Sequence, residues 1–64
     1  GDQYLIAYLL VASAKNMIQQ DIEALDMFLN IKNSLAEKAS NESTKKILIE
    51  NASYNIDAIL KQES

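Results

Sequence analysis

Asp21, Glu23 and Asp26 form the group of side chains whose type and spacing come nearest to those of a carboxylate metal site or acid–base pair. On a helix they are spread around the axis rather than gathered on one side. The di-metal pattern of helical bundles also needs Glu-x-x-His pairs on facing helices, and the chain has no histidine. Asp21 therefore reads as the start of a helix or as a polar layer. Ser34 and Lys38 lie one helical turn apart, the spacing at which a lysine of lowered pKa can take a serine proton. Lys38, beside Ser40 and Glu42, reads as solvated, and no glycine-rich loop is present to bind an oxyanion or a phosphate, because the single glycine is residue 1. With no cysteine either, the expectation is no catalytic, cofactor-binding or metal-binding residues, no cofactor, and a protein that is not an enzyme.

Two further groups suit recognition. Lys38, Lys45 and Lys46 gather around one inter-helix turn and form the best basic patch available, for a polyanion or an acidic partner. The chain as a whole carries nine acidic and six basic residues, a formal charge of −3, which works against nonspecific attraction to nucleic acid or anionic lipid. Nucleic acid is accordingly a disfavoured partner, and an RNA-binding helical hairpin using these lysines is a secondary reading. Tyr4, Tyr8 and Tyr54 suit an interface or the border of a core, with Tyr4 and Tyr8 four apart on one helix face.

The elements that carry these residues follow from composition and periodicity. No proline occurs, apolar residues recur at intervals of three and four, and period-2 alternation is absent. The fold class expected is all-α, in one domain over residues 1–64. From Tyr4 to Ala14 the chain reads YLIAYLLVASA, with Ser13 its one strongly polar residue. Such a helix is apolar nearly all round and has to be covered on several sides. Asp2 precedes it, placed to accept the free amide hydrogens of a first turn.

Two seams at coiled-coil spacing run onward from there. One passes through Ala7, Leu10, Ala14, Met17, Asp21, Ala24, Phe28, Ile31 and Leu35. The other passes through Ile18, Ile22, Leu25, Leu29, Lys32, Ala36 and Ala39. They permit one helix from about Gln3 to Lys38, roughly 54 Å long at 1.5 Å per residue. Ser40-Asn41-Glu42-Ser43-Thr44 is the clearest boundary, with Ser40 as the N-cap candidate and Glu42 in the first turn. A shorter helix from about Asn41 to Lys61 follows, expected to bury Leu48, Ile49, Ala52, Ile56, Ile59 and Leu60 and to pair Glu42 with Lys46.

The favoured architecture is thus a helical hairpin, long first helix and shorter second, assembling into an oligomeric helical bundle. The alternative is a compact three-helix bundle with helices near 3–19, 21–39 and 41–62, broken at Gln19-Gln20-Asp21. That tripeptide contains no glycine or asparagine, the residues that most readily supply the left-handed conformation ending many helices.

The segments Asp2-Gln3-Tyr4-Leu5-Ile6-Ala7-Tyr8-Leu9-Leu10 and Ser13-Ala14-Lys15 resemble the opening helix of the spore coat F-like family. Ser40-Asn41-Glu42-Ser43-Thr44-Lys45, with Leu48, resembles that family's inter-helix Ser-Pro-Glu-x-x-Arg segment. Asn41 stands in place of the proline and Lys45 in place of the arginine. An acid expected soon after Ile6-Ala7 is missing, as is the family's aromatic and glycine-rich C-terminal stretch. The second half is equally similar to short helical proteins of unknown function from spore-forming bacteria. The resemblance covers about half of the chain and implies a helical, non-catalytic protein of the spore or sporulating cell.

A chain of 64 residues hides only about 60% of the surface its unfolded form exposes, and neither a disulfide nor a thiolate metal site is available to staple it. Association is the remaining route to stability. The expectation is a non-enzymatic structural or interaction protein that forms a homo-oligomer, with a dimer favoured. Its interface is expected to include Tyr4, Leu5, Tyr8, Leu9, Leu10, Ala14, Met17 and Phe28, and a charge at Leu10 is expected both to dissociate and to unfold it. The alternative is a small regulatory protein whose apolar N-terminal helix docks in a protein partner. Tyr4–Ala12 also has the look of a signal-peptide core, but no positive charge precedes it, and it is about half the length needed to span a bilayer. No membrane role is expected, and a cysteine-free domain this small fits the cytoplasm better than an extracellular setting.

Overall fold

The computed structural model describes residues 1–63. It contains three α-helices, α1 (Asp2–Met17), α2 (Asp21–Asn33) and α3 (Glu42–Glu63), with a 3₁₀ turn at Leu35–Lys38. The long first helix of the hairpin is therefore corrected to two helices, and the compact three-helix arrangement takes its place. An unbroken helix of about 54 Å would not fit a molecule whose longest dimension is 35 Å. That dimension is close to the length of α3 alone, about 33 Å. Among the described residues no helix is long and apolar enough to cross a membrane.

The break comes at Gln19, whose φ of 65° places it in the left-handed region. The Gln20 amide donates to the Lys15 carbonyl at 2.9 Å and the Gln19 amide to the Asn16 carbonyl at 3.1 Å. This six-to-one and five-to-two pair is the Schellman termination, with glutamine where glycine is usual. Its customary apolar clasp is replaced by polar contacts. Lys15 Nζ donates to Gln20 Oε1 at 3.3 Å and pairs with Glu23 at 2.8 Å, bridging the end of α1 to the start of α2.

What the break achieves is visible in the core. Leu5, Leu9 and Ala12 of α1 and Ala24, Phe28 and Ile31 of α2 are all buried. On a continuous helix these two stripes would point about 100° apart; the turn at 18–20 lets them face each other. A left-handed non-glycine residue costs about 1–2 kcal/mol, whereas each fully buried leucine contributes about 1.5–3 kcal/mol, so burial wins. Gln19→Gly relieves the strained φ at some loss of unfolded-state restraint. We expect a gain of about 0.5–1 kcal/mol, read as a higher urea midpoint with an unchanged slope.

The α2–α3 connection differs in detail from the sequence reading. Regular helix ends at Asn33, where Ser34 Oγ donates to the Asn30 carbonyl at 3.2 Å, and the 3₁₀ turn inserts Ala36, fully buried, beneath the core. The cap of α3 is Asn41 rather than Ser40: Asn41 Oδ1 accepts the Thr44 amide at 2.8 Å. Ser40 is instead held by Asp2, whose two carboxylate oxygens accept its amide and its hydroxyl, each at 2.8 Å. Asp2 thus ties the start of α1 to the entrance of α3 instead of capping its own helix. Glu42 pairs with Lys45 at 3.7 Å instead of Lys46. Along α3, Leu48, Ala52, Ile56 and Ile59 are buried and Ile49 partly so, while Leu60 is exposed.

The Asp2 clasp has a pH signature. The Ser40 amide, followed by the Ser40 hydroxyl, holds the Asp2 carboxyl below its usual range against the opposing effect of burial. A carboxyl lowered on folding stabilises the fold above its unfolded value and loses that contribution as pH falls through its folded value. Asp2→Asn should therefore melt below the wild type near neutrality, and the gap should close on going from about pH 6 to about pH 2. Thermal scans of both proteins across that range provide the check.

Candidate functional site

The helices assign the eight residues expected at an interface to two different roles. Leu5, Leu9 and Phe28 are 4%, 8% and 0% exposed, so they belong to the chain's own core and are corrected from interface to interior. Tyr8 is partly buried and its hydroxyl accepts a hydrogen bond from Asn30 Nδ2 at 3.1 Å, fastening α1 to α2. Tyr4, Leu10, Ala14 and Met17 are exposed. Leu10 lies on the surface of the single chain, so a charge there meets solvent rather than the monomer's core.

These exposed residues lie within one continuous surface. With the core stripe of α1 centred on Leu5, Leu9 and Ala12, successive steps of about 100° carry Ile6, Met17, Leu10, Gln3, Ala14, Ala7, Val11 and Tyr4 across the opposite face. All eight are exposed. Gln3 is the single polar member and none is charged. The two charges of α1, Asp2 and Lys15, lie at the borders of this face and are already engaged, by Ser40 and Glu23. Tyr4 and Tyr8 stack along one border, ring centroids 6.5 Å apart and tilted by 38°. Ile6 and Val11 belong to the same surface, although neither lies on the seams traced through the sequence.

The other outer faces are different in kind. α3 exposes Ile47, Tyr54 and Leu60 among Lys46, Glu50, Asn51, Asp57 and Lys61, and α2 exposes Ile22 and Leu29 among Glu23, Asp26, Lys32 and Asn33. Isolated apolar residues of that sort are normal on a protein surface. Tyr54, 76% exposed, stands on a different helix from Tyr4 and Tyr8.

The lysines at the turn do not form an uninterrupted basic patch. Lys38 and Lys46 are exposed, Lys45 is partly buried and paired with Glu42, and the shallow cleft beside Lys45 and Lys46 is also lined by Glu42, Glu50 and Ile49. Asp21 opens α2, and Glu23 is taken up by Lys15. Among the described residues no three acids gather in a way that could hold a metal ion. The Ser34 hydroxyl donates to a backbone carbonyl.

No protein-family model, no curated protein and no solved structure matches the chain.

Proposed function

We propose that this is a non-enzymatic structural or interaction protein that self-associates through the outer face of α1. One observation carries the reading: Tyr4, Ile6, Leu10, Val11 and Met17 are 64%, 46%, 63%, 48% and 83% exposed on a helix face without a charge. Together with Ala7 and Ala14 they offer apolar area on the order of 500 Å² per copy, or about 1,000 Å² for a pair, at the lower limit of specific interfaces. A patch of this size is at the upper end of what monomers expose and is often functional, which supports the reading. A second copy supplies the same charge-free surface, which no charged partner would match. The resemblance to spore coat F-like proteins would place such an assembly in the spore or sporulating cell.

Sedimentation equilibrium of the full chain from about 1 to 200 µM tests the reading. An interface of this area should give a monomer–dimer equilibrium in the roughly micromolar range. A single monomeric species throughout would overturn self-association and leave this face for a protein of another sequence.

A further inference from the structure

The pattern of small and large side chains on the outer face of α1 also specifies how two copies meet, an inference that rests on the self-association reading above. Along the middle of the face run Ala7, Leu10, Ala14 and Met17, spaced by three, four and three residues, all exposed. This is two coiled-coil repeats in which every first core position is alanine and every second is large. If two such helices lay parallel and in register, each layer would join like with like. Alanine layers would leave gaps and leucine or methionine layers would force the helices apart, so no single axial separation would close both. Running the helices in opposite directions removes the conflict, since each layer then joins one alanine to one large side chain at constant volume.

We propose that the protein forms a two-fold symmetric dimer in which the α1 helices pack antiparallel through this outer face, with the axis crossing it at the height of residue 12. Ala7 of each copy then faces Met17 of the other, and Leu10 faces Ala14. Val11 meets its own counterpart across the axis, and Tyr4 reaches the exposed Ile18 that follows the partner helix. A shift by one repeat towards the N-termini would bury Gln3 against Ala14, leaving its amide without partners. The chosen register keeps Gln3 outside the four layers. Opposed directions also set the positive end of each helix dipole near the negative end of the other. Alanine at every first core position permits axes at the near end of the usual 8–10 Å range, which lets the flanking Ile6 and Val11 share in the contact.

The chain has no cysteine, so introduced thiols report the geometry without interference. Chains carrying Ala7→Cys and Met17→Cys, both at exposed positions, are prepared separately, mixed and oxidised gently. Antiparallel packing should join most of the mixture as the mixed disulfide and leave either variant alone largely unlinked, because two Met17 positions are then about 15 Å apart along the axis. A Val11→Cys variant bridged to its own counterpart by a short bis-maleimide provides a second reading, since parallel helices place these residues on opposite sides of the seam. Rapid Met17–Met17 linkage would overturn the antiparallel arrangement. Dimers by sedimentation that link in neither experiment would place the contact on another face and overturn it as well. If the unsubstituted chain sediments only as monomer, it is the self-association reading that fails.

Discussion

Phe28→Ala should leave the chain largely unfolded at room temperature. Phe28 is the largest side chain of the core, fully buried at the centre of α2, where the stripes from α1, α3 and the 3₁₀ turn converge in one cluster. Truncating a buried phenylalanine costs about 3–5 kcal/mol through lost transfer energy and the cavity left behind. A 64-residue chain has a total stability of roughly 3–10 kcal/mol on a per-residue basis. The loss is thus a large part of everything available. Alanine has the higher helix propensity, so local helix preference cannot account for the effect. Far-UV circular dichroism with a urea titration checks it: helical signal should fall to a small fraction of the wild-type value, or the midpoint should move to very low urea. Retention of a wild-type midpoint would mean that the core is not built around this ring.

Leu10→Glu should do the reverse, separating assembly from folding. Leu10 is 63% exposed in the monomer, and exposed substitutions away from special contacts typically change stability by less than about 0.5 kcal/mol. In the two-fold pair the same substitution removes two buried leucines, each worth about 1.5–3 kcal/mol, and brings a charge into each of two dry layers. Since 1.4 kcal/mol is a factor of ten in affinity, the dissociation constant should rise by a factor of about 100 or more. The urea midpoint, measured at a concentration where the wild type is monomeric, should stay in place. Sedimentation and denaturation of the same sample read the two effects independently. Loss of folding with Leu10→Glu would indicate that this residue is needed inside the monomer.

Phe28 and Leu10 differ in a way that local spacing does not encode. Both lie on one seam traced at coiled-coil spacing, yet the first is core and the second is surface. Tracing the seam assumed a helix continuous in phase through residues 18–20. The Schellman termination at Gln19 resets that phase, so Ala7, Leu10, Ala14 and Met17 turn outward while Ala24, Phe28 and Ile31 turn inward. Gln19-Gln20-Asp21 is legible as a possible break, but local preference weighs against it, because glutamine is a poor left-handed residue and the compensation comes from burial of Leu5 and Leu9 far from the turn. The exchange of caps has a similar cause. Ser40 and Asn41 are both good capping residues, and the choice between them depends on Asp2, 38 positions away from Ser40, claiming the serine.

Local information is enough to make the chain all helix and to show that its front segment is too apolar to have one polar face. Those properties follow from local spacing and composition: no proline, no internal glycine, apolar residues at threes and fours. Local information also determines where α3 begins to within a residue or two, since Ser, Asn and Thr compete locally for backbone hydrogen bonds. The choice of three helices over two, and of which face of α1 is buried, comes from long-range packing. The reason is energetic. A left-handed glutamine is unfavourable locally and is selected only because two distant apolar stripes gain more by facing each other, a balance that no short window of sequence contains.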